Sequence, residues 1–147
     1  MNKPVFLLLL LSLLLHLSIS SPKSLVLFEQ QESLLGSHSD IDHYLLPITK
    51  KIDGQYLIIT AEGTLSESEP DIFINLDGFY DGEKTAKYEC KSYGFALCYV
   101  HSNDIAENSL FYVSIKCHSR CGYKINALYE EEKDIINMKI SKKIIKI

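Results

Sequence analysis

Apolar and polar residues alternate with a period of two along most of the chain beyond residue 40, the spacing of half-buried strands. In residues 71–76, Ile72, Ile74 and Leu76 take turns with Asp71, Phe73 and Asn75. Residues 110–117 show the pattern most cleanly, with Phe111, Val113, Ile115 and Cys117 on one face and Tyr112, Ser114 and Lys116 on the other. After a turn at Gly122, Tyr123, Ile125, Ala127 and Tyr129 alternate on a returning strand. Upstream, Tyr44, Leu46 and Ile48 share one face of a strand over 43–48. Pro47 denies that strand one donor and so places it at an edge or near a bulge. Residues 55–61 set Leu57, Ile59 and Ala61 against Tyr56, Ile58 and Thr60, and two fairly apolar faces predict a central strand. Asp53-Gly54 lies between these two runs and predicts a hairpin.

The remaining segments are less regular. Residues 95–100 read as a clear strand, residues 84–91 as a weaker one through Ala86, Tyr88 and Cys90, and residues 25–28 (LVLF) as a first strand. Polar stretches at 29–42, 63–70 and 101–108 read as loops, the middle one acidic and ending in Pro70-Asp71. No run before residue 130 carries apolar residues at i, i+3, i+4 and i+7 behind a cap, which is what a helix would need. Seven or eight short strands, spaced about 8–14 residues apart with turn signals between them, predict an all-β fold: an antiparallel β-sandwich or jelly roll.

The amino terminus follows a different logic. Lys3 supplies a positive start, residues 5–17 an apolar run broken only by Ser12 and His16, and Ser18, Ser20 and Ser21 the small residues after it. That order predicts a secretory signal peptide over 1–20, cleaved after Ser20; the alternative is an uncleaved anchor. A segment 21–40 then leads into the strand-rich region 41–129, and a charged tail occupies 130–147. The 147-residue chain carries a formal charge of -4, and loss of Lys3 with the leader takes it to -4 - 1 = -5. A chain of this size buries about two-thirds of its unfolded surface, enough for one core. Its mild acidity argues against nucleic acid as a partner, because phosphate binding asks for a basic face.

The strand-rich region resembles a known family. HYLLPITKKIDGQYLIIT (43–60), EPDIFINLDG (69–78) and SLFYVSIKCHSRCGYKINALY (109–129) are similar to the bacterial pre-peptidase C-terminal (PPC) domain and its relatives in extracellular eukaryotic proteins. The resemblance spans about residues 41–129. It implies a small, non-catalytic β-sandwich of the kind that accompanies secreted enzymes or surface proteins. This chain departs from the bacterial pattern in carrying four cysteines and no attached peptidase.

Cys90, Cys98, Cys117 and Cys121 are even in number and follow a secretory leader, so two disulfides are expected. Local pairing is preferred, Cys90 with Cys98 around Gly94 and Cys117 with Cys121 closing the last hairpin; Cys90–Cys117 with Cys98–Cys121 is the crossed alternative. A zinc site built on Cys117, His118 and Cys121 with Cys90, Cys98 or His101 has weak spacing and the wrong compartment. Glu67, Glu69, Asp71, Asp77, Asp81 and Glu83 are oxygen donors of the type calcium takes, yet they follow no calcium-loop pattern. No metal or other cofactor is therefore expected.

Phe79, Tyr80, Tyr88 and Tyr93 form the expected binding surface for a sugar or a partner's side chains, the bland alternative being that they cap the sandwich. Ser37, His38, Ser39 and Asp40 include a nucleophile, a base and an acid, but neighbours in one loop cannot adopt triad geometry. No enzymatic activity is expected. In the tail, Ile136, Ile140, Ile144 and Ile147 recur at helical spacing among Lys139, Lys142, Lys143 and Lys146, so any membrane contact would run through this segment. The expected product is a secreted binding or assembly module with a protein or glycan partner at the cell surface. Alternatives are an accessory domain assisting a secreted peptidase or other enzyme in trans, and a membrane-peripheral module using the basic tail.

Overall fold

Each alternating segment has one face that must leave water, and two sheets stacked face to face satisfy that need for all of them. The computed structural model describes residues 21–37, 40–83, 85–91 and 93–144; the predicted signal peptide lies outside them. Nine strands and one α-helix follow in order among the described residues, with a 3-10 turn (Ser102–Asp104) after the seventh strand: β1 (Lys23–Ser24), β2 (Gln31–Leu35), β3 (Ile41–Ile48), β4 (Tyr56–Gly63), β5 (Pro70–Asn75), β6 (Tyr88–Cys90), β7 (Phe95–His101), β8 (Ser109–Cys117), β9 (Cys121–Glu130) and α1 (Glu132–Ile144). A five-stranded sheet runs β1-β3-β8-β5-β6 and a four-stranded sheet β2-β9-β4-β7. All pairs are antiparallel except the short contact of β1 with β3. The fold is a β-sandwich.

The core comes from the predicted inward faces. Tyr44, Leu46 and Ile48 of β3, Leu57, Ile59 and Ala61 of β4, Phe111, Val113 and Ile115 of β8, and Tyr123, Ile125 and Ala127 of β9 are all buried between the layers. Strand β4 lies between β9 and β7, the central place that its two apolar faces require. Its outer-face Ile58 is also fully buried. Helix α1 lies over that side: Ile135 is buried, and Met138 borders a cleft with Thr60 and Leu128. Glu132 and Asp134 occupy its first turn, where carboxylates favour the helix dipole.

Five local expectations are corrected. The hairpin at Asp53-Gly54 does not form, because β3 and β4 belong to different sheets. Gly54 has a φ of 76°, and the Gln55 amide donates to the Ile52 carbonyl, so the turn exists but carries the chain across the sandwich. Residues 118–120 likewise connect β8 in one sheet to β9 in the other rather than closing a hairpin. Reversal chemistry alone does not decide whether the next strand lies beside the last one or behind it. Here β3 pairs along its whole length with β8, while β9 and β7 take up both edges of β4.

Segment 25–28 also crosses. The Leu25 amide donates to Leu45 in the five-stranded sheet, whereas the Phe28 amide donates to Ala127 in the other. Within the segment expected to be a loop, β2 pairs with β9, and only its Leu35 is buried. Finally, β5 ends at Asn75, and Leu76 is left exposed beyond the strand.

One polar cluster interrupts the apolar interlayer at its β2 edge. Asp42 Oδ2 accepts from Ser33 Oγ at 2.6 Å and from the Tyr123 hydroxyl at 2.5 Å. Lys23 Nζ lies 2.8 Å from Asp42 Oδ1 and donates to Ser33 Oγ at 2.6 Å. The Tyr44 and Tyr123 hydroxyls meet at 2.8 Å. Burial alone would raise the Asp42 pKa, but hydrogen bonds from Lys23, Ser33 and Tyr123, with the charge of Lys23, outweigh it and hold the carboxyl below its ordinary value of 3.8. The network ties β1 and β2 to the body of the sandwich.

Candidate functional site

Residues of opposite parity to the core populate the outer face of the five-stranded sheet. His43 of β3 pairs with Ser114 of β8, and Ser114 with Phe73 of β5, so the three form a row; Lys116 pairs with Asp71 in the next. The segment after β5, residues 76–83, folds back over this face. The Phe79 ring lies 4.5 Å from that of His43 and meets Tyr112 edge-on at 5.0 Å. Tyr80 stacks on Phe73 with ring centres 4.0 Å apart and planes within 3°. Polar bonds fix the loop in place. The Tyr80 amide donates to Ser114 Oγ at 3.2 Å, the Tyr80 hydroxyl to the Gly82 carbonyl at 3.2 Å, and the Lys87 amide to Asn75 Oδ1 at 2.7 Å.

His43 Nδ1 lies 3.0 Å from Ser114 Oγ, a nucleophile beside a base by residue type. The arrangement does not offer the oxygen to a substrate, since Ser114 is fully buried and accepts the Tyr80 amide. Burial lowers the His43 pKa and the neighbouring Asp42 charge raises it in part, with burial prevailing. Asp42 sits on the opposite face of β3, engaged with Lys23, Ser33 and Tyr123, so it does not orient the ring as a triad acid would. In the sequence motif at 37–40, His38 and Ser39 lie outside the described residues, and the Asp40 carboxylate accepts from the Ser37 amide at 2.9 Å.

Two clefts flank the loop. Residues 75–79 and 85–87 border one of about 530 Å³. The other, about 210 Å³, is lined by Asp71, Phe73, Tyr80, Lys91, Lys116, Cys117 and His118. In it Asp71 is only 6% exposed, and its Oδ2 lies 3.3 Å from His118 Nε2. Lys91 Nζ sits 5.5 Å from the centre of the Phe73 ring and 3.5 Å from the Glu89 carboxylate.

Of the four aromatic residues singled out in the sequence, the structure brings together Phe79 and Tyr80. Tyr88 faces the other way, opposite Ile74 and against the core, where burial and then the Asp104 charge raise its pKa. Tyr93 projects from the turn before β7, 76% exposed. His43, Phe73, Tyr112 and Lys116 were missed as site residues, although their parity against the buried positions marks them in the sequence. Among the described residues, no three His, Cys, Asp or Glu side chains converge as metal ligands would.

The cysteines pair as Cys90–Cys98, Cα atoms 5.5 Å apart, and Cys117–Cys121, 6.2 Å apart. Cys90 belongs to β6 and Cys98 to β7, so this bond also joins one sheet to the other. The preferred local pairing is the one observed, and both short-range bonds join one sheet to the other. No thiolate remains for zinc.

No family profile and no curated protein matches the chain. Among solved structures, the pre-peptidase C-terminal domain of collagenase from Bacillus anthracis superposes with a TM-score of 0.52 at 7% identity, over 73% of this chain and 94% of that one. PliG of Aeromonas hydrophila, a periplasmic inhibitor of g-type lysozyme, gives a TM-score of 0.43 at 12% identity, over 73% and 99%. The first likeness is one of fold: the chain is a PPC-like β-sandwich, with its two sheets joined by disulfides.

Proposed function

We propose that the chain is exported and serves as a non-catalytic extracellular binding module, with the outer face of the five-stranded sheet as its contact surface. The observation that carries this reading is the segment 76–83 laid over that face, which leaves aromatic rings and lysines around two clefts. Export is supported by the leader pattern at 1–20 and by the two disulfides, which persist in oxidising compartments. A non-catalytic role is supported by the burial of Ser114 beneath Tyr80. The partner is a protein or glycan at the cell surface.

Hydrogen exchange on the secreted protein tests the contact surface, comparing the free form with the form holding partners captured from the medium of its native source. Peptides covering 76–87 and 109–117 are expected to gain protection on binding. Protection confined to 132–138 or to the outer face of the four-stranded sheet would remove the proposal. A peptidase as the dominant captured protein would turn the reading toward an accessory domain.

A further inference from the structure

The larger outer-face cleft opens between two short arms of chain, residues 75–79 and 85–87. The Lys87 amide, donating to Asn75 Oδ1 at 2.7 Å, ties the arms together where β5 ends. Phe79, packed against the His43 and Tyr112 rings, fixes one wall. Several polar side chains of the lining are left uncommitted. Asn75 gives its carbonyl oxygen to Lys87, but its Nδ2 group, the Asp77 carboxylate and the Thr85 hydroxyl make no hydrogen bond or ion pair among the described residues. The charged lining residues are one of each sign, Asp77 and Lys87, and Leu76 and Ala86 add apolar surface. We propose that this cleft binds a neutral sugar unit of a glycan.

Size and chemistry both select this class. About 530 Å³ lies within the roughly 300–1,000 Å³ of small-ligand pockets, so the cleft admits a ring system rather than a single side chain. A sugar hydroxyl donates and accepts at once. That answers a lining in which a carboxylate acceptor stands beside amide, hydroxyl and ammonium donors. The C–H face of the ring covers Leu76 and Ala86. An ionic ligand of either sign meets one like charge: a uronate, sulfate or phosphate meets Asp77, and an amino sugar meets Lys87. A neutral ligand meets none. A wholly apolar one would take Asn75, Asp77 and Thr85 out of water without partners, which is costly.

The inference rests on the outer face being a contact surface and adds what is recognised there. Titration calorimetry on the secreted protein tests it with chitotriose, cellotriose and mannotriose. Fully deacetylated chitotriose, trigalacturonate and triglycine serve as cationic, anionic and peptide comparators. At least one neutral trisaccharide is expected to bind, with every comparator at least tenfold weaker. Asp77→Ala is expected to weaken that sugar about 10- to 100-fold, the worth of a hydrogen bond to a charged group, while Lys124→Glu on the far sheet leaves it unchanged. Asp77 is exposed and unbonded, so the unfolding midpoint of its variant is expected to match that of the parent. No binding of any neutral trisaccharide, a comparator within tenfold of the best of them, or parent-like affinity in Asp77→Ala overturns the inference. If it falls while captured partners still protect 76–87 and 109–117, the contact surface stands and only the neutral-sugar assignment is lost.

Discussion

Reduction of both disulfides is expected to lower the stability of the folded protein by about 4–5 kcal/mol. In the chain-entropy view a bond closing so short a loop gives little, about 2.6 kcal/mol for Cys90–Cys98 and about 2 kcal/mol for Cys117–Cys121. Their sum is a large part of the roughly 5–15 kcal/mol typical of a domain. The placement matters as much as the entropy. Each bond joins a strand of one sheet to a strand of the other, so the unfolded chain loses the freedom to separate the layers at those points. Cys98, Cys117 and Cys121 are buried, and a reduced thiol packs there as a small apolar group without opening a cavity. Urea titrations with and without a phosphine reductant, followed by circular dichroism, check the figure. A loss under about 1 kcal/mol would show that the staples do not hold the layers together.

Asp42→Ala is expected to cost about 2 kcal/mol, the scale of leaving hydrogen-bonded partners of a part-buried carboxylate unsatisfied. The substitution takes the acceptor from Ser33 and Tyr123 and the counter-charge from Lys23 at once. The same network sets the pH response. The folded-state pKa of Asp42 is depressed, so its contribution is complete above the ordinary carboxylate value of 3.8 and is lost as pH falls through the lower folded value. Tyr123 acts at the other limit. Burial, then Tyr44 and Asp42, raise its pKa, so its contribution is present below the ordinary tyrosine value of 10.0 and declines as pH rises beyond it. Denaturant titrations of the parent and Asp42→Asn between pH 2 and pH 7 separate charge from shape. The parent is expected to lose more stability toward acid than Asp42→Asn does, and parallel curves would assign the acid response to other carboxylates.

Much of the sandwich was legible because strict alternation reports burial directly. The inward faces of β3, β4, β8 and β9 follow from Tyr44–Leu46–Ile48, Leu57–Ile59–Ala61, Phe111–Val113–Ile115 and Tyr123–Ile125–Ala127, all buried as their spacing requires. Which strand lies beside which was not legible. Asp53-Gly54 and CHSRC carry ordinary reversal chemistry, and only long-range pairing shows that both cross between sheets. Strand β2 escaped notice because its inward positions include polar Gln31 and Ser33, and Ser33 serves Asp42 rather than the apolar core. The candidate site divides in the same way. Phe79 and Tyr80 stood out as loop aromatics, but their seats on His43, Tyr112 and Phe73 depend on how residues 76–83 fold back over the sheet. Tyr88 looked equivalent to them in composition and faces the interior, because β6 presents it on the same side as the core residue Ile74.

Charge reversal on the two faces tests the contact surface most directly. Lys91 and Lys116 border the outer-face cleft of the five-stranded sheet, whereas Lys124 borders the cleft on the far side, beside α1. Capture of native extracellular partners by the secreted protein is expected to be lost in the double variant Lys91→Glu, Lys116→Glu and unchanged in Lys124→Glu, with equal unfolding midpoints. Undiminished capture by the double variant, with loss in Lys124→Glu, would contradict the account and move the contact surface to the opposite sheet.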